Sequence, residues 1–96
     1  MASLRTLVEQ RREDIKATVG RHHGRRVLLF GSVARGREHA DIDIDLLVDF
    51  GPESSLFDLL HLSQDLEELL GHPVDIVSRG GLKDRDRAIL DEAIEL

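Results

Sequence analysis

Asp41, Asp43 and Asp45 alternate with Ile42 and Ile44 in the stretch HADIDIDLLVDF, residues 39–50. In an extended chain, side chains two positions apart share a face, so Asp43 and Asp45 project together while Ile44 and Leu46 enter the opposite side. Asp41 joins them only if the strand begins that early. Carboxylates at this spacing lie about 6.5–7 Å apart along the backbone and repel by roughly 2.5 kcal/mol at an effective dielectric of about 20. On a water-facing edge strand that repulsion falls well below about 1 kcal/mol, and the acids would serve only to discourage aggregation. The adjoining run Leu46-Leu47-Val48 argues against a dispensable edge. Two acids projecting together over a dry sheet suit Mg2+, which takes a few carboxylates and fills its shell with water and substrate phosphate.

A phosphate site is available upstream in GSVARG. Gly31 and Ser32 follow an apolar run, VLLF, where a glycine turn exposes backbone N–H groups and a hydroxyl adds a donor. A helix beginning there presents its positive end to an anion. Arg35, one turn further on, can pair bidentately with phosphate oxygens. Taken alone, a Gly-Ser turn at a strand end is usually structural.

The elements that must position these groups follow from periodicity. From Ser3 to about Val19, Leu4, Leu7, Val8, Ile15 and Val19 keep helical spacing behind Ser3 as N-cap, and the helix ends near Gly20. VLLF reads as a strand covered on both faces, and residues 43–49 as a second strand. Ser55 with Asp58 forms a capping box for a helix whose apolar side is Leu56, Leu59, Leu60, Leu66, Leu69 and Leu70, stopped by Gly71 and Pro73. VDIV, residues 74–77, is a third short strand. Gly80 and Gly81 then open a last helix carrying Leu82, Ile89, Leu90, Ala93 and Ile94. The order helix, strand, strand, helix, strand, helix predicts an α/β (α+β) fold, a small mixed sheet of about three strands covered by helices.

Composition bounds the function. The 96 residues make one small domain, 1–96, with room for a single core. With 41% apolar and 33% charged residues the chain has the profile of a globular domain. A net charge of -6 argues against a general electrostatic grip on nucleic acid. Locally the charge divides: residues 20–37 hold five arginines and no acid, and an acidic stretch follows from Glu38 to Glu53. Cysteine is absent, excluding disulfides and thiolate metal sites, and no apolar run is long enough to cross a bilayer. A cytoplasmic location is expected.

Gly31-Ser32, ten residues, then Asp43-x-Asp45 is the pattern GS-x10-DxD, and it resembles the nucleotidyltransferase superfamily that includes polymerase β and the kanamycin nucleotidyltransferases. Four fixed positions would coincide by chance roughly once in 10⁵ starts, so the pattern is specific. GSVARG, DIDLLVDF, a helix, VDIV and a final short helix together resemble the minimal nucleotidyltransferases over nearly the whole chain. The resemblance implies that Asp43, Asp45 and, on the later strand, Asp75 hold two Mg2+ ions, and that Gly31 and Ser32 bind the phosphates of ATP with Arg35 assisting. Ile42 departs from the serine usual in that family before the first aspartate, removing a local hydrogen bond and no ligand. The residues alone leave Asp75 open, since a single strand aspartate can equally cap or pair with an arginine.

The implied chemistry is in-line attack on the α-phosphate with pyrophosphate leaving. Larger members of the superfamily carry an added domain for the acceptor, for which this chain has no room. The resemblance therefore implies a HEPN-type toxin as partner: AMP would pass to a hydroxyl, a tyrosine, on that protein, and the chain would act as its antitoxin. Neutralisation by binding alone, or transfer to a small molecule, are the alternatives, and a homodimer or hetero-oligomer is open. His22 and His23 are expected in a solvated turn, His39 at the surface near the site, His61 on a helix surface, His72 in a pre-proline loop, and KDRDR at 83–87 on a solvated helix face.

Overall fold

The computed structural model describes residues 3–36, 42–81 and 87–96. Helices α1 (Leu4–Gln10) and α2 (Arg12–Arg21) replace the single N-terminal helix expected from periodicity. Val8 and Ile15 are buried, but the turn between them offers Arg11 and Arg12, which the core cannot take, and the helix breaks at Arg11. Ser3 is the N-cap as expected, its hydroxyl accepting from Thr6 N–H at 3.0 Å.

Strand β1 (Gly24–Phe30) leads directly into the single turn α3 (Gly31–Ala34), and β2 (Ile44–Phe50) follows. Helix α4 (Leu56–Leu70) starts where Ser55 N–H donates to Asp58 Oδ2 at 2.8 Å and ends at Gly71 in left-handed backbone. Its core side is Leu62, Leu66 and Leu70; Leu56 and Leu60, expected on that side, are exposed together with Phe57. Strand β3 (Val74–Ser78) is followed by a 3-10 turn (Arg79–Gly81), α5 (Arg87–Glu92) and β4 (Ile94–Glu95).

The sheet has four strands in the order β3-β2-β1-β4, not three. β1 runs antiparallel to both β2 and β4, and β2 runs parallel to β3. The fourth strand comes from Ile94, expected in the last helix: the helix stops at Glu92, and Ile94 and Glu95 pair with Leu29 and Leu28. Gly80 and Gly81 sit in the 3-10 turn after β3 rather than opening a helix. Two residues of strand are too short to carry a period-2 signal, so their pairing is set by the neighbouring strand.

One face of the sheet is covered by α1, α2 and α4. Val27, Leu29, Ile44, Leu46, Val48, Val74 and Ile76 point into that core with Val8, Ile15, Val19, Leu62 and Leu66. On the other face Leu28 and Leu47 are also buried, so β1 is covered on both sides. β2 lies between two strands, and Leu46, Leu47 and Val48 are fully buried. The edge-strand explanation for its aspartates therefore fails. Among the described residues no helix is long and apolar enough to cross a membrane.

Candidate active site

Asp45 is the second residue of β2 and alternates with the core residues Ile44 and Leu46, so it emerges on the face away from α2 and α4. Its neighbours across the sheet are Phe30 on β1 and Asp75 on β3. The register thus sets two carboxylates side by side, one per strand, at the end of the sheet where β1 turns into α3. Asp43 precedes the strand by one residue and is exposed, as is Asp75; Asp45 is half-buried.

Three supports fix this end of the sheet. Ile44 N–H donates to Pro73 O at 3.0 Å, joining the starts of β2 and β3. Val74 N–H donates to Glu67 Oε2 at 2.9 Å and Ser63 Oγ to Val74 O at 3.3 Å, so α4 holds the backbone just before Asp75. Arg5 Nη1 donates to Ala34 O at 3.1 Å, tying α1 to the C-terminal carbonyl of α3, where a cation is also favoured by the helix dipole. Neither Glu67 nor Arg5 carries a sequence signal for this role, because each meets its partner only through the fold.

Gly31 meets Asp45 directly. Its backbone has φ +73°, and a Cβ placed there would run into Asp45 Oδ2 and stand only 3.2 Å from Cγ and 3.3 Å from Cβ of the same side chain. The glycine is required twice, by conformation and by the carboxylate seated against it. No side chain caps the start of α3, which leaves the first N–H groups of that turn free of a competing acceptor. Ser32 adds a hydroxyl with no hydrogen-bond partner among the described residues.

The electrostatics match the crowding. Burial, then Asp75, then Asp43 push the Asp45 carboxyl above the ordinary carboxylate range, and Arg35 opposes them. Arg35 lies beyond α3 and pairs with Glu92 Oε2 of α5 at 3.5 Å, both groups about half exposed. The guanidinium is therefore close enough to influence Asp45 but is shared with an acid that the sequence did not bring forward.

The donor set fits a hard divalent cation: oxygen ligands only, like charges that destabilise one another without one, and an adjacent turn of N–H and hydroxyl donors for phosphate. Among the described residues no three acidic or histidine side chains already close on a single point. Asp41 and His39, and residues 83–86 of KDRDR, lie outside the described residues.

The histidine turn departs from expectation. His22 is largely buried, with its Nε2 2.7 Å from Asp65 Oδ2, and His23 Nδ1 lies 3.2 Å from Asp58 Oδ2. His61 packs edge-on to His22, ring centroids 6.5 Å apart. These partners are on α4, some 35 to 43 residues away, so local spacing could not reveal them.

Comparison with known proteins bears on the same chain length. The family profile of the nucleotidyltransferase domain matches residues 6–96. The chain is 42% identical over 80 residues to MJ0435 of Methanocaldococcus jannaschii, named among protein adenylyltransferases, covering 79% of this chain and 83% of that one. A solved structure described as a minimal nucleotidyltransferase superposes with a TM-score of 0.87 at 47% identity, over 99% of this chain and 97% of that one. A structure of the tri-AMPylated HEPN toxin of Shewanella oneidensis in complex with MNT antitoxin gives a TM-score of 0.68 at 18% identity, over 91% of this chain and 69% of the matched one. At that identity the likeness speaks for the fold alone.

Proposed function

Because this chain belongs to the nucleotidyltransferase domain family, we propose that it is a Mg2+-dependent protein adenylyltransferase. It moves AMP from ATP to a tyrosine hydroxyl of a HEPN-type toxin, works as that toxin's antitoxin, and does so as a single domain. The observation that carries the reading is the juxtaposition at the end of the sheet: Asp45 seated against Gly31, in register with Asp75 and one step from Asp43.

In this reading Asp43, Asp45 and Asp75 hold the metal, and Gly31, Ser32 and Arg35 receive the phosphates of ATP. Bound Mg2+ would neutralise the triphosphate and polarise the α-phosphate. The chain's own groups do the rest. The α3 N–H groups and the Ser32 hydroxyl orient the phosphates. Arg35 exchanges Glu92 for a phosphate oxygen, gaining a stronger, potentially bidentate partner. Asp75, exposed at the mouth of the site, takes the proton of the attacking hydroxyl. The new bond joins tyrosine oxygen to the α-phosphorus, the bond to the bridging oxygen breaks, and pyrophosphate leaves.

A protein acceptor is supported by what surrounds the site. Asp43 and Asp75 are exposed, which leaves the site open to a large acceptor; the apolar surface of Leu56, Phe57 and Leu60 lies at the opposite end of the sheet, beside the His22–His23 turn. The relative MJ0435, at 42% identity, points the same way, being named among protein adenylyltransferases.

The test is incubation with α-labelled ATP, Mg2+ and the protein encoded next to this chain. Label should appear on a tyrosine of the partner and vanish with Asp43→Asn, Asp45→Asn or EDTA. Tight neutralising complexes that carry no label, and that form equally well with both variants, would overturn catalysis and leave binding alone.

A further inference from the structure

The other end of β1 gathers imidazoles. His22 and His23 form the turn between α2 and β1, and α4 meets that turn with Asp58, His61 and Asp65. These three stand at i, i+3 and i+7 on the helix, so they share one face. β1 is seven residues long, which at about 3.3 Å per residue places the cluster roughly 20 Å from the aspartate end. The nucleotidyl chemistry makes no use of it.

The five side chains are not equivalent. Asp58 is committed twice, accepting from Ser55 N–H at 2.8 Å and lying 3.2 Å from His23 Nδ1. His22 and Asp65 form a second pair, with Nε2 2.7 Å from Oδ2. His61 stands outside both pairs. It is exposed, and among the described residues its ring nitrogens have no hydrogen-bond partner. Its ring lies edge-on to His22 with centroids 6.5 Å apart, and Phe57 lies beside it at the same separation.

The turn that carries His22 is anchored through its backbone. His22 N–H donates to Val19 O at 3.1 Å, and His23 O accepts from Gly51 N–H at 2.8 Å. The His22 side chain is only 17% exposed. One imidazole is therefore fixed against α4, and a second, unpartnered one stands next to it.

We propose that His22, His61 and Asp65 form a site for Zn2+ or a similar divalent transition ion. Two imidazoles and a carboxylate are a donor set that such ions favour, whereas Mg2+ takes oxygen ligands. His61 and Asp65 are one turn apart on α4, the spacing at which two side chains of a helix reach one ion. As they stand the three do not close on a single point, but the movements needed are small. A tetrahedral ion about 2.0–2.1 Å from each donor sets His22 Nε2 and Asp65 Oδ2 about 3.4 Å apart and the two rings about 5 Å apart. Asp65, about half exposed, yields the first distance, and rotation of the exposed His61 yields the second. In the bound form the ring hydrogen of His22 sits on Nδ1, and water fills the fourth position. The ion would pin the α2–β1 turn to α4 and stabilise the fold by its binding energy.

The test titrates the untagged protein with ZnCl2 by calorimetry, with Mg2+ in excess throughout so that the aspartate end is not the site read. One equivalent of Zn2+ should bind, move the ring-nitrogen resonances of His22 and His61 together, and raise the melting temperature. His61→Ala removes an exposed ligand, and Asp65→Asn keeps a hydrogen-bond acceptor for His22, so both should fold. Each should weaken binding by more than about tenfold, the least that loss of even an outer partner costs a metal site, and should abolish the melting shift. Absence of binding, binding with those two histidine resonances unmoved, or binding unchanged in either variant would overturn the proposal.

Discussion

The two turns that bound β1 both pass through left-handed backbone, His23 at φ +65° before the strand and Gly31 at φ +73° after it. One position carries a full side chain and the other carries none. At His23 the side chain is exposed and finds Asp58 on α4, and the residue's carbonyl accepts from Gly51 N–H at 2.8 Å. Tertiary contacts hold the unusual backbone there, and histidine tolerates it better than most residues. At Gly31 there is no space, because the Asp45 side chain occupies it. Positive φ alone does not demand glycine; a carboxylate held against the backbone does.

Gly31→Ala breaks that contrast hardest. The added methyl must displace the whole Asp45 side chain, so stability should fall by about 1–3 kcal/mol. Label transfer should fall by at least about 100-fold, since small misplacements of reacting groups have that cost. Urea unfolding and the labelling assay measure the two losses separately.

Asp45→Asn removes the charge and keeps the shape. Without Mg2+ the variant should melt at or above the parent temperature, because burial and repulsion from Asp75 and Asp43 make the charged form unfavourable. Mg2+ with an ATP analogue should raise the melting temperature of the parent by the ligand's binding energy and leave the variant nearly unmoved. A variant stabilised as much as the parent would remove Asp45 from the cation's ligands.

The His23 turn gives a smaller and opposite pH signature. Asp58 is held below its ordinary value of 3.8, chiefly by the hydrogen bond from Ser55 N–H and secondarily by His23. A carboxyl lowered on folding adds stability that is present above the unfolded value and is lost as pH falls through the folded one. The parent should therefore lead Asp58→Asn in melting temperature at neutral pH, and the lead should close below pH 3.8. A lead that persists in strong acid would exclude the charged cap.

His23→Gly should change least. Relief of the backbone and loss of the Asp58 partner oppose each other, as does the added freedom of the unfolded chain, so stability should stay within about 1 kcal/mol of the parent. Transfer activity should not change. A large loss of activity here would mean that the two ends of β1 are coupled.

The regular elements were legible because each had a local signal of adequate length. VLLF, DLLV and VDIV carried buried-strand composition, and Ser55, Asp58 and Gly71 bracketed α4 with capping chemistry. The misreadings came where the signal was short or two-sided. Arg11 and Arg12 interrupted a stripe that otherwise counted as one helix, two residues of β4 offered no period, and Leu56 and Leu60 matched helical spacing while facing water. At the site, the spacing of Gly31-Ser32 and Asp43-x-Asp45 was readable because both flank one hairpin-like pair of strands. The sequence left Asp75 open, and its place beside Asp45 follows only from the parallel register of β2 and β3.

By itself, then, the sequence determined which residues alternate, which turns need glycine or a cap, and which family pattern the acids belong to, since these depend on neighbours a few bonds away. Only the tertiary structure decided that β2 is central, that Asp45 presses on Gly31, that Glu92 shares Arg35, and that the histidine turn meets acids on α4. Each of those depends on strand order and helix docking, which bring together side chains that no local periodicity relates.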